Sequence, residues 1–320
     1  VCQGTALAGF CPGPSSVQCC VQGCPQECGN CVAKGGGAQC APLCTNCPSQ
    51  CQPCLKDGGG LECMKHCTNI PTQARAFLDK YSALAHNTYT ILLQNRWGNL
   101  TYYEHEPDHP RIPASNTKIW TTSCAYDQIG WNTKWPWDND HTIQQACVDI
   151  LKPSWNEGAD HLLSFIGEKL AHTSDQQQAA DWVLKWVKQR VGLNMSGAAM
   201  GDGCGLDRAN HFSARQINGM VRWMLDHFTG WEPALPVGCV DGTLVHRFCG
   251  EDGKGRVHAK TGTLHDVHAI SGYVHNRHDD QIYLFSVLTN NAPDDAATES
   301  VETIDAIAIL MGQKGIPNPV

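Results

Sequence analysis

Alternation and helical spacing of apolar positions divide the chain from about residue 70 onward into strands at its two ends and helices between them. The run Tyr89 to Gln94 is rich in Thr, Tyr and Ile and short enough for a strand. Across Trp97-Gly98, the run Leu100 to Tyr103 is its expected hairpin partner. In the middle, Asp181 to Val191 places Trp182, Val183, Trp186 and Val187 on one helical face, and Ala214 to Phe228 does the same with Ile217, Val221, Met224 and Leu225. Strands return at Val267 to His275 and at Gln281 to Leu288, and Glu299 to Met311 reads as a closing helix. The pattern predicts an α/β (α+β) domain over residues 69–320, with one sheet built from both of its ends.

The first 68 residues read differently. Of 19 cysteines, 14 lie between Cys2 and Cys67, and large apolar residues are few there. Such a segment holds together only through covalent or metal links. Within residues 22–68, Cys24, Cys28, Cys31, Cys40 and Cys44 recur as Cys47, Cys51, Cys54, Cys63 and Cys67, each 23 residues later. Each copy carries Pro after its first Cys and three glycines before its fourth. The Cys-x-x-x-Cys steps predict two short helical hairpins stapled by disulfides, with Cys31 and Cys54 left to bridge the copies. Zinc is the competing occupant, since Cys-x-x-Cys pairs are ligand-like. Residues 1–21, with Cys2, Cys11, Cys19 and Cys20, form a third, separate piece.

Composition adds a compartment. So many cysteines persist as disulfides in an oxidising environment, so the chain is expected to be secreted. A start at Val1 fits removal of a signal segment, and Asn99-Leu100-Thr101 and Asn194-Met195-Ser196 are acceptor sequons for glycosylation at Asn99 and Asn194. The net charge of −8 argues against a nucleic-acid partner, and no apolar run approaches the length of a membrane span. A monomer is expected. Among the later cysteines, Cys239 and Cys249 flank an expected hairpin turning at Asp241-Gly242, and Cys124 with Cys147 is a second candidate pair, which leaves Cys204 free.

Three short motifs carry candidate chemistry. In Ser115-Asn116-Thr117-Lys118, a helix beginning near Ser115 puts Lys118 one turn from a hydroxyl whose proton it can take. Its N-terminal N–H groups face a developing oxyanion. In Ser174-Asp175-Gln176, a hydroxyl relays protons and an amide holds a substrate carbonyl; read blandly, it is a helix N-cap. In Lys260-Thr261-Gly262-Thr263, Gly262 lets a substrate backbone lie close, and Lys260, Thr261 and Thr263 suit a carboxylate.

In this order the three resemble the S-x-x-K, S-D-N and K-T-G elements of the serine β-lactamase and penicillin-binding-protein superfamily. Gly201-Asp202-Gly203-Cys204-Gly205-Leu206-Asp207-Arg208-Ala209-Asn210 and His258-Ala259-Lys260-Thr261-Gly262-Thr263-Leu264 resemble stretches of its D-Ala-D-Ala carboxypeptidase/endopeptidase family, so that roughly residues 75–315 are covered. The resemblance implies a five-stranded antiparallel sheet flanked by helices, plus an all-helical lobe. It implies that Ser115 is acylated, Lys118 is the general base, Ser174 relays protons and Lys260 holds a carboxylate. Gln176, Thr261, Gly262 and Thr263 would contact substrate, and the N–H groups of Ser115 and Thr263 would form the oxyanion hole. No cofactor or metal is called for.

Departures from the family pattern are Gln176 for Asn, Cys204 and Asp207 for Ser, and a short spacing from Ser115 to Ser174. The expected activity is a secreted D,D-peptidase on bacterial peptidoglycan peptides. A weak resemblance of residues 9–20 to a motif of secreted fungal enzymes points to a fungal, antibacterial muramyl-peptide endopeptidase with an N-terminal wall-binding module. The alternatives are a β-lactamase, an esterase or D-amino-acid amidase on the same scaffold, and a non-catalytic wall-binding protein. Against β-lactamase stands the lack of any Glu between Gly192 and His227, where Asp207 and Asp202 are the only nearby acids. His105, His109, His265 and His268 lack metal-ligand spacing, whereas His258 and His268 are expected near Lys260. Trp131, Trp135 and Trp137 suit either packing or a sugar platform.

Overall fold

The structure is a computed structural model that describes residues 88–293 and 297–313 together with four short strands nearer the N-terminus. Those are β1 (Thr5–Leu7), β2 (Cys19–Val21), β3 (Gln52–Leu55) and β4 (Leu61–Met64), paired antiparallel as β1 with β2 and β3 with β4. In the second cysteine repeat, Cys54 thus opposes Glu62 and Cys63 opposes Pro53 in a β ladder across the glycine run. This part of the repeat is extended where a helical hairpin was expected. The remaining cysteine steps of residues 22–68, their links, and most of residues 1–21 lie outside the described residues.

From residue 88 onward the predicted architecture is present. One antiparallel sheet has the order β6-β5-β11-β10-β9, made from β5 (Thr88–Asn95), β6 (Thr101–His105), β9 (Val257–Leu264), β10 (Val267–His275) and β11 (Ile282–Asn290). Its outer strands come from opposite ends of the domain, as the pattern of the sequence requires. Between β6 and β9 the chain makes α1 (Lys118–Cys124), a small hairpin of β7 (Lys134–Trp135) and β8 (Asp138–Thr142), α2 (Ile143–Leu151), α3 (Asn156–Ile166), α4 (Gln176–Trp186) and α5 (Ala214–His227). A last helix, α6 (Ala297–Ile309), closes the fold.

The central strands read as continuous apolar runs because both faces of the sheet are covered. Leu92, Ala269, Tyr273, Leu284 and Leu288 join the core made with α1 to α5. Their neighbours Ile91, Leu93, Ile270, Val274, Tyr283, Phe285 and Val287 join a second core with Ile304, Ile307 and Ala308 of α6. The helical side is the larger, and its aromatic members include Trp120, which stacks on Phe212 at 4.5 Å between ring centroids. Helix starts follow local chemistry. Thr142 and Ser213 form capping boxes with Gln145 and Gln216, and Asp175 caps α4 by accepting from the Gln178 N–H.

Cys239 and Cys249 form a disulfide. The segment it closes is not the hairpin expected from Asp241-Gly242 but a loop around a short 3-10 turn, Gly242–Leu244. Cys124 and Cys147 do not pair. Both are buried free thiols, Cys147 donates weakly to the Thr122 carbonyl at 3.7 Å, and burial pushes both thiols up. The sequon residues Asn99 and Asn194 are exposed. No described helix is long and apolar enough to cross a membrane.

Candidate active site

Ser115 lies in a 3-10 turn, Ala114–Thr117, that runs directly into α1, so Ser115 and Lys118 share one face as expected. Lys118 Nζ stands 3.0 Å from Ser115 Oγ. The turn is held from three sides. Ala114 sits in the left-handed region at φ 47°, costly for a residue with a Cβ. Asn116, wholly buried, donates to Ser271 Oγ at 2.9 Å and so ties the turn to β10. Gly205 and Gly262 press against it: a Cβ on Gly205 would fall 2.0 Å from the Ala114 carbonyl oxygen, and one on Gly262 would fall 2.5 Å from that of Pro113 and 3.2 Å from the Ser115 nitrogen. The Ser115 N–H therefore lies between two glycine backbones.

Lys118 is fully buried and reaches two further acceptors, Asn156 Oδ1 at 2.7 Å and the Cys204 carbonyl at 2.6 Å. Burial holds its pKa down at about 8, against the opposing pull of Cys204, Asp160 and Asp202. Lys260 occupies the fourth position of β9, inside the strand and not at its opening. It is also fully buried and donates to Ser154 Oγ and to the Thr261 carbonyl, each at 2.9 Å. Burial, then the charges of Lys118 and Arg247, hold it well below the ordinary lysine range.

Ser154 and Asn156 are the residues that reading the sequence missed. They flank Trp155 in the turn between α2 and α3, and Ser154 adopts φ 63° there. The tripeptide has the Ser-x-Asn form of the family's second element, with Trp in place of Asp. Its signal in the sequence was the spacing of hydroxyl and amide two residues apart, just before an apolar helix.

Ser174 and Gln176 stand elsewhere. Both are exposed, and Gln176 Nε2 reaches the Gly201 carbonyl at 3.4 Å. Asp175 between them is an N-cap, so here the bland reading holds. The amide that stands beside Lys118 is that of Asn156, and Gln176 is not brought to this cluster.

Thr243 is a second addition. Thr261 Oγ1 donates to Thr243 Oγ1 at 2.8 Å, and the Thr243 N–H donates to the Lys152 carbonyl at 3.0 Å. Lys152 also pairs with Asp241. The loop stapled by Cys239–Cys249 is thereby fixed against the turn bearing Ser154. The outer edge of β9 is covered only at its start, where Ala259 N–H bonds Pro236 O and Gly238 N–H bonds Val257 O. Beyond Lys260 the edge runs past Gly262 and the exposed Thr263.

Residues 201–210 form the wall behind Lys118. Asp202 accepts from the N–H groups of Gly205 and Asp207, each at 2.6 Å, from Asn210 Nδ2 at 2.8 Å and from the Cys204 thiol at 3.3 Å. These donors hold Asp202 low despite its burial. Asp160 accepts from the Gly203 N–H at 2.9 Å and so sets the carbonyl of Cys204 towards Lys118. Cys204 itself is buried, and burial pushes its thiol up, so it is packing and not a nucleophile. Exposed Asp207 accepts from the Ala209 N–H at 2.8 Å, bracing its own loop.

Of the two histidines expected near Lys260, His258 stacks on Tyr273 at 4.8 Å. His268 pairs with Thr263, at a register that puts it on the other face of the sheet from Lys260. A cavity of about 600 Å³ between β5 and α5, lined by Gln94, Asn194, Arg215 and Arg222 among others, contains none of these site residues.

The profile of the D-Ala-D-Ala carboxypeptidase 3 (S13) family matches residues 140–311, a span that includes Ser154, Asn156 and Lys260 and begins after Ser115. A D-alanyl-D-alanine carboxypeptidase of Actinomadura sp. (strain R39) is 30% identical over 188 residues, covering 54% of this chain and 33% of that protein. Penicillin-sensitive carboxypeptidase A of Dictyostelium discoideum is 30% identical over 169 residues, or 50% and 32% of the two chains. The chain thus spans about a third of the length of these curated relatives. Among solved structures, penicillin binding protein 4 from Haemophilus influenzae superposes with a TM-score of 0.64 at 12% identity, covering 74% of this chain and 98% of that one. A β-lactamase from Sphaerobacter thermophilus gives 0.56 at 17% identity, covering 78% and 99%. Both likenesses are of fold.

Proposed function

Since the chain belongs to the D-Ala-D-Ala carboxypeptidase 3 (S13) family, we propose that it is a serine peptidase that cleaves the D-Ala-D-Ala end, or the D-Ala cross-link, of peptidoglycan stem peptides through an acyl-Ser115 intermediate. The observation that carries this reading is the contact between buried Lys118 and Ser115 Oγ at 3.0 Å. A lysine held near pKa 8 has a substantial neutral fraction at pH 7 to 8. In that form, two N–H groups serve Asn156 and Cys204 and the lone pair faces the serine hydroxyl.

Each step follows from the positions of these groups. Lys118 takes the Ser115 proton as Oγ attacks the carbonyl carbon of the scissile amide. The oxyanion forms between the N–H of Ser115 and that of Thr263. Ser154, whose oxygen accepts from Lys260, is left with its own hydrogen to give to the departing amine, and the proton that Lys118 took from Ser115 replaces it, which returns Lys118 to its neutral form. Water then attacks the acyl-enzyme with the same groups in reverse. Asn156 offers its amide hydrogens to a substrate carbonyl. Lys260 borders the place of the terminal carboxylate, with the bonded hydroxyls of Thr261 and Thr243 beside it at the edge of β9, and Thr263 contributes its N–H. Gly262 makes room for the turn that carries Ser115, and the substrate backbone runs along the edge of β9.

The finer reading is an extracellular, monomeric enzyme that needs no cofactor or metal, glycosylated at Asn99 or Asn194. It attacks bacterial walls from a fungal source and is held there by the cysteine-rich N-terminal segment. This rests on the 19 cysteines and on the motifs of the first 68 residues. Asp202 and Asp207 both accept from N–H groups of their own loop, which favours a peptidase over a β-lactamase. Incubation with a diacylated Lys-D-Ala-D-Ala peptide and detection of free D-Ala tests the activity. Release by wild type and none by Ser115→Ala is expected; no release from this peptide or from cross-linked muropeptides contradicts it.

A further inference from the structure

We propose that Asp202 and Asp160 are positioning residues for Lys118, which hold its amine through the backbone of residues 203–205 and set the pH range over which it works as a base. The proposal rests on the peptidase reading and adds what stands behind its lysine.

The link to Asp202 runs through one peptide unit. The Cys204 carbonyl accepts from Lys118 Nζ at 2.6 Å, and the Gly205 N–H of the same peptide donates to Asp202 Oδ1 at 2.6 Å. In a trans peptide these two groups point in opposite directions. Amine, peptide and carboxylate therefore form a chain in which each hydrogen bond polarises the next, and the charge of Asp202 makes the carbonyl a stronger acceptor. Asp160 fixes the stretch from its other end, where it accepts from the Gly203 N–H at 2.9 Å. The Gly203 carbonyl accepts from Thr121 Oγ1 of α1, also at 2.9 Å. The backbone has no room to shift: a Cβ on Gly203 would fall 2.5 Å from the Ala159 carbonyl oxygen, and one on Gly205 would fall 2.0 Å from that of Ala114.

The same groups supply charge. One oxygen of Asp160, one of Asp202 and the Cys204 sulfur lie within 4.8 Å of one another. Lys118 faces Ser115 from its own turn, Asn156 and Asp160 from α3, Asp202 and Cys204 from residues 201–210, and Lys260 from β9. Burial drives Lys118 towards its neutral form, and negative charge behind the Cys204 carbonyl opposes that. The thiol does not carry this charge, because burial pushes Cys204 up and keeps it protonated. Asp202 carries it, since four donors hold its carboxyl low despite burial. Asp160 is pushed up by burial, and the Cys204 thiol and the Gly203 N–H pull it back. With burial alone the lysine would be neutral at lower pH; the two carboxylates bring the balance to about 8.

The test reads Lys118 directly on the full chain. Protein labelled with 13C at lysine Cε is titrated by NMR, and the Lys118 signal is assigned by its absence from Lys118→Ala. The wild-type midpoint is expected near pH 8. Asp160→Asn removes a charge and keeps an oxygen for the Gly203 N–H, and Asp202→Asn removes the charge at the end of the peptide chain. Each is expected to lower the midpoint by about half a unit, because loss of negative charge favours the neutral amine. Glu168→Gln, which removes an exposed carboxylate elsewhere, leaves the midpoint in place. A midpoint unmoved by both Asp variants, or moved as far by Glu168→Gln, overturns the proposal. If Asp202→Asn does not fold, Asp160→Asn decides alone.

Single-turnover acylation by benzylpenicillin across the same pH range gives the kinetic counterpart. Relative to its own plateau, Asp160→Asn is expected to react about threefold faster than wild type at pH 6, as its acid limb follows Lys118 downwards. An acid limb that stays in place while the Lys118 midpoint moves overturns the tie between Asp160 and catalysis. No acylation of wild type at any pH refutes the peptidase reading, and the titration of Lys118 still decides the positioning role.

Discussion

Lys260 Nζ donates to Ser154 Oγ at 2.9 Å, across the gap between the sheet and the helical lobe. On the proposed mechanism this bond makes Ser154 the hydroxyl that moves protons, in place of Ser174, which is exposed ahead of α4. Replacing a group that transfers a proton in the transition state costs about 10²- to 10⁴-fold. Ser154→Ala is therefore expected to lower kcat/KM by that much, and Ser174→Ala to change it by less than about twofold. Steady-state D-Ala release from both variants decides between them.

If the base is the neutral amine of Lys118, as proposed, the sign of the pH dependence is fixed. Protonation removes the base, so acylation slows as pH falls below about 8. The rate rises with pH up to that value, by about tenfold per unit well below it, and levels off above. Single-turnover acylation measured between pH 5 and 10 checks this. A rate that is flat over that range removes Lys118 from the role of base.

The disulfide Cys239–Cys249 closes the loop that carries Thr243 to Thr261. Closing a loop with a sequence separation of 10 residues is worth about 2–3 kcal/mol on chain-entropy grounds. Cys239→Ser/Cys249→Ser is expected to lose roughly that stability in urea unfolding. It should also raise KM more than it lowers kcat, because Thr243 is bonded to Thr261, on the proposed carboxylate side, and not to Lys118 or Ser115.

Gly205 has φ 96°, and a Cβ there would overlap the carbonyl of Ala114, one residue before the nucleophile. Gly205→Ala is expected to cost about 1–3 kcal/mol through strain and overlap. It should lower acylation by far more than its effect on global stability requires. Thermal unfolding together with acylation rate measures both effects on one sample.

Much of this fold was readable because each strand and helix satisfies its own pattern. Val267 to His275 is apolar enough to be buried on both faces and is a strand over those residues. Ala214 to His227 has both its periodic face and a Ser213 cap. The site was readable where contacts are local, as between Ser115 and Lys118, one turn apart. It was unreadable at the second motif, because two serines compete for one role and only tertiary contacts choose between them.

Ser174-Asp175-Gln176 matched two letters of the family motif, but Asp175 spends its carboxylate on capping α4. Ser154 has a left-handed backbone and a Trp neighbour, and it is identified by Lys260, 106 residues away. The Cys124–Cys147 pairing failed for a related reason: buried thiols pack well as small apolar groups, so an even count does not enforce a bond.

The most direct test of the account is the intact mass of wild type and of Ser115→Ala after incubation with benzylpenicillin, with peptide mapping of any adduct. The account predicts a mass increase equal to one penicillin on wild type alone, located on the peptide that contains Ser115. An adduct on another residue, or an equal adduct on Ser115→Ala, would contradict it.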